Sequence, residues 1–142
     1  MFTNSVTLFN YDEKNNRYYK TLFRNVELQS TYQSNFNVDS TIDSDVSLLI
    51  VNYYLDGEDK KPISVSKSFR TPKVWDSTED KNSYFTFETG RDFFAKGDYT
   101  LLNITSYEQF KHSHDDVFMI HQVKDFEDDL KHWEILGYWY GI

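Results

Sequence analysis

Cysteine is missing from this 142-residue chain, and its absence removes disulfide frameworks, thiolate zinc sites and cysteine nucleophiles together. Such usage is compatible with folding in a reducing cytoplasm. Only 2 Pro and 5 Gly punctuate the sequence. Basic charge is scarce too: the net charge is −8 and the pI is about 4.9. Lys60-Lys61 is the only adjacent basic pair, so the summed field repels nucleic acid and anionic lipid, with no local cluster to reverse it. A sequence-reading DNA binder is not expected, whereas a wall that DNA passes without sticking remains compatible. No apolar run approaches spanning length, since Val46–Val51 meets Asn52 at once. Met1–Asn10 has neither a basic start nor a sustained apolar core, so no signal peptide is expected and the protein should be soluble and made without export.

Catalytic signatures are also lacking. There is no Gly-x-Ser-x-Gly elbow, and Ala95-Lys96-Gly97-Asp98 has neither the glycines nor the Ser/Thr of a phosphate cradle. The acidic runs Asp39–Asp45 and Asp125–Asp129 lack the turn glycine and distal glutamate of calcium loops, so they are expected to be solvated turns. Asn103-Ile104-Thr105 matches a glycosylation sequon, but without export the match is coincidental. One cluster, His112, His114, Asp115 and Asp116, contains ligand types that zinc or manganese would recruit. It has no second ligand group at matching spacing, so a solvated loop competes with a metal site and no cofactor is expected. His121 is expected to be a packed, hydrogen-bonded residue rather than a base.

Aromatic residues are abundant, at 18% with 11 Tyr and 12 Phe, and wide rings favour the pleated surface of strands. At this length one domain spanning 1–142 is expected, large enough to bury a core. Val6–Asn10, a polar turn over Tyr11–Arg17 and Tyr18–Leu28 form a first hairpin. Residues 29–45 are polar, yet Tyr32, Phe36, Val38 and Ile42 recur on even positions. The segment is either a loop or an extended arm with one adhesive face.

Val46–Leu55 is the most apolar run and predicts a central strand covered on both faces. Pro62–Phe69 alternates, as expected of a half-exposed or edge strand. Thr71–Trp75 reads as a turn into a short helical or extended segment anchored by Trp75, and Asp76–Asn82 as an exposed stretch. Tyr84–Thr89 is a strand by composition, Arg91–Asp98 a turn, and Tyr99–Ile104 follows it. Thr105-Ser106 can cap one short helix, Tyr107–Lys111. The chain closes with Asp116–Phe126, an acidic turn at Glu127–Asp129, and a return strand from Leu130 to Gly137 that precedes the aromatic tail Tyr138-Trp139-Tyr140. Val117, Met119, His121 and Val123 should face one way and Phe118, Ile120 and Gln122 the other. About seven short strands, one short helix and a C-terminal hairpin predict a mainly β domain, a small barrel or sandwich.

The wording of that hairpin, Asp115–Phe126 followed by Lys131-His132-Trp133-Glu134-Ile135-Leu136-Gly137, resembles the end of small tailed-phage neck proteins. These are the minor capsid or head-completion proteins, also called head closure or stopper proteins. Pro72-Lys73 with Trp75, the Tyr84–Phe87 strand and Asp92–Asp98 are similar to the middle of such proteins in phages and prophages of low-GC Gram-positive bacteria. The similarity spans most of the chain from about Arg17. It implies a non-enzymatic virion protein, synthesised in the host cytoplasm. Copies would form a ring below the portal or adaptor, in a number matching the portal's symmetry. That ring would close the DNA-filled head, let genomic DNA pass without specific binding, and dock the tail terminator or tail. Under that implication the 29–45 arm, with Tyr32, Phe36, Val38 and Ile42, and the tail Tyr138, Trp139 and Tyr140 are candidate interaction residues, although the tail rings could equally cover the barrel end. A tail terminator or other virion ring is the nearest alternative. A carbohydrate-binding β-sandwich, with Trp75, Trp133, Trp139 and tyrosines as a stacking platform, is another, and an enzyme built on His112 and His114 a third.

Overall fold

The computed structural model describes residues 4–32 and 44–140. Nine strands, two α-helices and one short 3-10 turn follow in the order β1 (Asn4–Asp12), β2 (Arg17–Tyr32), β3 (Ser44–Asp56), β4 (Asp59–Pro62), β5 (Ser68–Phe69), α1 (Pro72–Asp76), the 3-10 turn (Lys81–Ser83), β6 (Tyr84–Phe85), β7 (Phe93–Lys96), α2 (Tyr107–Ser113), β8 (Val117–Phe126) and β9 (His132–Tyr140). Strands β2-β1-β7-β8-β9-β3 pair in that order, and β2 returns to pair with β3. The result is a closed six-stranded barrel in which every neighbouring pair is antiparallel. Strand β4 adds to β3 outside the ring, and β5 pairs with β6 in parallel.

Closure depends on β2 serving two partners in succession. Residues Arg17–Val26 pair with β1 and Glu27–Tyr32 with β3. The register slips between Asn4 and Val6, opposite Asn25, which sits at φ 54°. An irregularity of this kind bends a strand around a barrel corner.

Inward-facing Val6, Leu8, Phe23, Leu49, Val51, Phe94, Phe118, Ile120, Trp133 and Ile135 fill the interior. The excursion from β4 to β7 adds Phe69, Phe85 and Phe87, whose rings lie 5.2–5.7 Å from that of Trp133. Tyr53 stacks on Trp133 at 4.2 Å. A second apolar layer lies outside the wall, where Phe9, Phe93, Ala95 and Val117 meet Phe110 of α2. The Ser106 Oγ accepts from the Gln109 N–H at 3.1 Å, so the predicted helix and its cap are present, with α2 running two residues further.

The mainly β barrel agrees with expectation, and several details correct it. Arg91–Asp98 is not a turn throughout: β7 inserts there between β1 and β8. Residues 99–104, by contrast, form no strand. Only the odd positions of β3 are buried, while Tyr54 and Leu55 are about half exposed, so this strand has one covered face rather than two. Pro62–Phe69 is strand only at Pro62 and Ser68–Phe69, and Tyr84–Thr89 only at its first two residues. Within the charged 76–82 stretch Lys81 is buried, its Nζ donating to the Asp76 and Thr78 carbonyls.

The simple alternation expected for β8 is also broken. A register shift between Ile120 and Gln122 moves Val123 to the inner core, although Val117 and Met119 belong to the outer layer. Gly137 does not end the return strand, which runs to Tyr140 along the start of β3. A methyl group at Gly137 would come within 2.7 Å of the Phe118 Cβ and the Phe94 ring. Glycine is therefore required by close packing, not by a turn.

Candidate interaction surface

Two hairpins bring chemistry to one rim of the barrel. In β3–β4 the two-residue connection Gly57-Glu58 uses Gly57 at φ 66°, which an L side chain adopts only with strain. In β8–β9 the connection runs from Glu127 to Lys131. Asp125 ties them together: it accepts the Tyr53 hydroxyl at 2.6 Å and the Lys60 ammonium at 2.5 Å, and Lys60 also reaches Glu127 at 2.9 Å. Burial, reinforced by the bond to Asp125, pushes the Tyr53 phenol up to about 12. The two carboxylates outweigh partial desolvation at Lys60 and hold its ammonium above the ordinary lysine value.

Around this bridge the surface is apolar and acidic. Ile63 is 70% and Leu130 81% exposed. With Tyr54, Leu55 and Asp129 they line a shallow groove of about 490 Å³. His132 donates through Nδ1 to the Leu130 carbonyl and faces Glu134 through Nε2 at 3.0 Å. The Leu130 contact is the main reason its imidazole titrates above the ordinary histidine value.

A separate buried knot fixes the excursion to the wall. The fully buried Asp92 carboxylate receives the Tyr11 N–H at 2.9 Å, the Glu88 N–H at 3.1 Å, the Asn10 amide at 3.0 Å and the Arg91 fork at 2.9 and 3.1 Å. Arg91 continues to Asp76 at 2.9 Å. Burial raises the Asp92 carboxyl, and these donors oppose it. Asn10 also exchanges bonds with the Thr86 backbone. The knot sits beside a concavity lined by Asp12, Glu13, Lys14, Asp76 and Arg91, and the Asp92 and Arg91 side chains are engaged with each other and with the chain around them, which makes the knot an anchor.

The residues singled out in the sequence do not converge. His112 and Asp115 are exposed, while His114 stacks on Phe110 at 4.1 Å and contacts the Phe110 carbonyl. Asp116 occupies a left-handed turn at φ 56° before β8. Among the described residues no three His, Cys, Asp or Glu side chains gather as a metal would require. Phe36, Val38 and Ile42 lie outside the described residues, and Tyr32 ends β2 opposite Asp45. Tyr138 stacks on His121 at 4.4 Å, Trp139 packs against both apolar layers, and Tyr140 ends β9 opposite Ser44. Trp75 and Trp133 are buried, so the three tryptophans form no exposed stacking platform. Sequence reasoning missed Tyr54, Leu55, Ile63 and Leu130. For Leu130 the available signal was an isolated apolar residue between Asp129 and Lys131.

Fold and surface together define a closed antiparallel β-barrel with an aromatic-filled interior and an apolar, acid-rimmed platform on one rim. The family model described as "Family of unknown function (DUF6751)" matches residues 1–138, and the chain belongs to that family. No curated protein and no solved structure matches it. Among the described residues, no helix is long and apolar enough to cross a membrane.

Proposed function

We propose that the chain is a structural subunit of a tailed-phage neck, a head-completion protein whose copies form a ring beneath the portal or adaptor and present a docking surface to the tail. The observation that carries this reading is the filled barrel. Trp133, Phe118, Phe94 and the inserted Phe69, Phe85 and Phe87 occupy the space that a ligand-carrying barrel keeps open. Its chemistry is therefore displayed on outer surfaces, as assembly requires. The net charge of −8 supports a wall past which DNA slides without adhering. The hairpin and mid-chain motifs that resemble neck proteins fall on β8–β9, on α1 and on β7, which belong to the barrel and its plug.

The decisive experiment is a particle assembled without this chain. Heads that lose their DNA and fail to join tails are expected, with the protein located at the neck by imaging of intact particles. Full, tailed particles made in its absence would refute the proposal. A tail terminator predicts a different defect: heads would stay full while tails grew to uncontrolled length.

A further inference from the structure

Two surfaces on opposite sides of the barrel are complementary. One is the β8–β9 turn, where Leu130 projects beside Asp128 and Asp129, exposed carboxylates with no ion pair among the described residues. The other is a concavity of about 380 Å³ at the start of β2, lined by Arg17, Tyr18, Lys20 and Ile104. There the Arg17 guanidinium lies 4.7 Å from the Tyr19 ring centroid, and the Lys20 ammonium donates to the Leu102 carbonyl at 2.6 Å. Neither cation meets a carboxylate among the described residues. Of the carboxylates on adjoining segments, Asp12 is engaged by its own turn, Asp98 by Thr100 and Glu108 by Lys111, while Glu13, exposed in the β1–β2 turn, makes no ion pair with either cation. Leu101, 99% exposed, adds apolar surface next to Leu102.

In an acidic protein, two cations left without anions beside a hollow, and an apolar knob flanked by two unpaired carboxylates, are each incomplete. Around the closed strand order, β2 and β8 stand three places apart, the largest separation that a six-stranded ring allows. One copy therefore cannot satisfy both surfaces by itself. We infer that neighbouring copies of this chain associate head to tail, the Leu130 turn of one seated in the Arg17/Lys20 concavity of the next. A contact between two different patches repeats around a ring when its rotation closes. This inference rests on the ring proposal above and supplies its subunit contact.

A charge swap tests it in the full-length chain. Sedimentation at low ionic strength, up to millimolar concentration, should show wild-type multimers that weaken as salt screens the contact. Asp128→Lys/Asp129→Lys gives a chain basic on both surfaces, and Arg17→Glu/Lys20→Glu one acidic on both. Each alone should associate about tenfold or more weakly, and an equimolar mixture should recover association, because each now complements the other. Arg17→Glu alone, which leaves the Lys20–Leu102 bond in place, guards against misfolding, with an unchanged melting temperature as the control. Wild-type chain that stays monomeric throughout, reversed variants that associate like wild type, or a mixture that fails to recover would each overturn the contact. The particle experiment decides the ring separately, so a ring built through other surfaces would remain distinguishable.

Discussion

The apolar layer inside the barrel and the one outside it use the same material in unequal enclosures. Inside, Phe94, Phe118 and Trp133 are surrounded by a hydrogen-bonded wall that closes on itself. Outside, Phe9, Phe93 and Val117 are covered largely by α2, seven residues long, and by the segment leading into it. A helix that short has no standing of its own in water. It is held by Phe110 at 5.2 Å from Phe9 and 5.9 Å from Phe93, and by the Ser106 cap. The inner layer thus depends on global closure and the outer layer on local docking, so the two should fail separately.

The largest effect should come from Trp133→Ala, which empties the centre of the inner layer and should cost about 3–5 kcal/mol in denaturant unfolding. A variant within about 1 kcal/mol of wild type would show that the inner layer is not the principal source of stability. Next is Asp92→Ala, which strips Arg91 of its buried partner and leaves the Tyr11 and Glu88 N–H groups unsatisfied. A loss of about 3 kcal/mol is expected. Gly137→Ala forces a methyl into the Phe94–Phe118 contact and should cost about 2 kcal/mol.

The outer layer is probed more gently by Ser106→Ala, expected to cost about 1 kcal/mol. Amide exchange should quicken over Tyr107–Ser113 and leave β3 and β9 unchanged, and equal acceleration in both would merge the two layers into one cooperative unit. The smallest effect concerns His132. Its folded-state value is raised, so its stabilising contribution is complete below its unfolded value and fades as pH climbs through the folded one. Wild type should lose a little stability as pH rises from the ordinary histidine range upward, a loss that His132→Gln should diminish, as denaturant unfolding at stepped pH would show.

How much of this could be foreseen depended on the range of the interaction. The β1–β2 and β8–β9 hairpins and α2 are written locally, in alternation, turn residues and a capping serine, and they emerged with small boundary errors. β7 was hidden because Phe93–Lys96 is short and its partners Val6–Phe9 and Val117–Met119 are distant in sequence. The β8 irregularity inverts the inside–outside pattern from Val123 onward, which period-two reasoning cannot detect. Arg91 and Asp92 looked like turn charges, because the Asn10 and Tyr11 groups that bury Asp92 come from β1. The rim platform requires β3–β4 and β8–β9 side by side, a consequence of β3 pairing with β9.

The pairing of Val6 with Lys96 carries a kinetic consequence. β1 cannot acquire its second neighbour until the chain has been made through β7, and the ring of strands cannot close before β9 exists. Contacts so distant in sequence slow folding, because loop entropy is spent before they form. The β1–β2 hairpin must wait on the ribosome, half its wall bare, so the barrel closes only after synthesis passes Tyr140, and any assembly of copies follows that event.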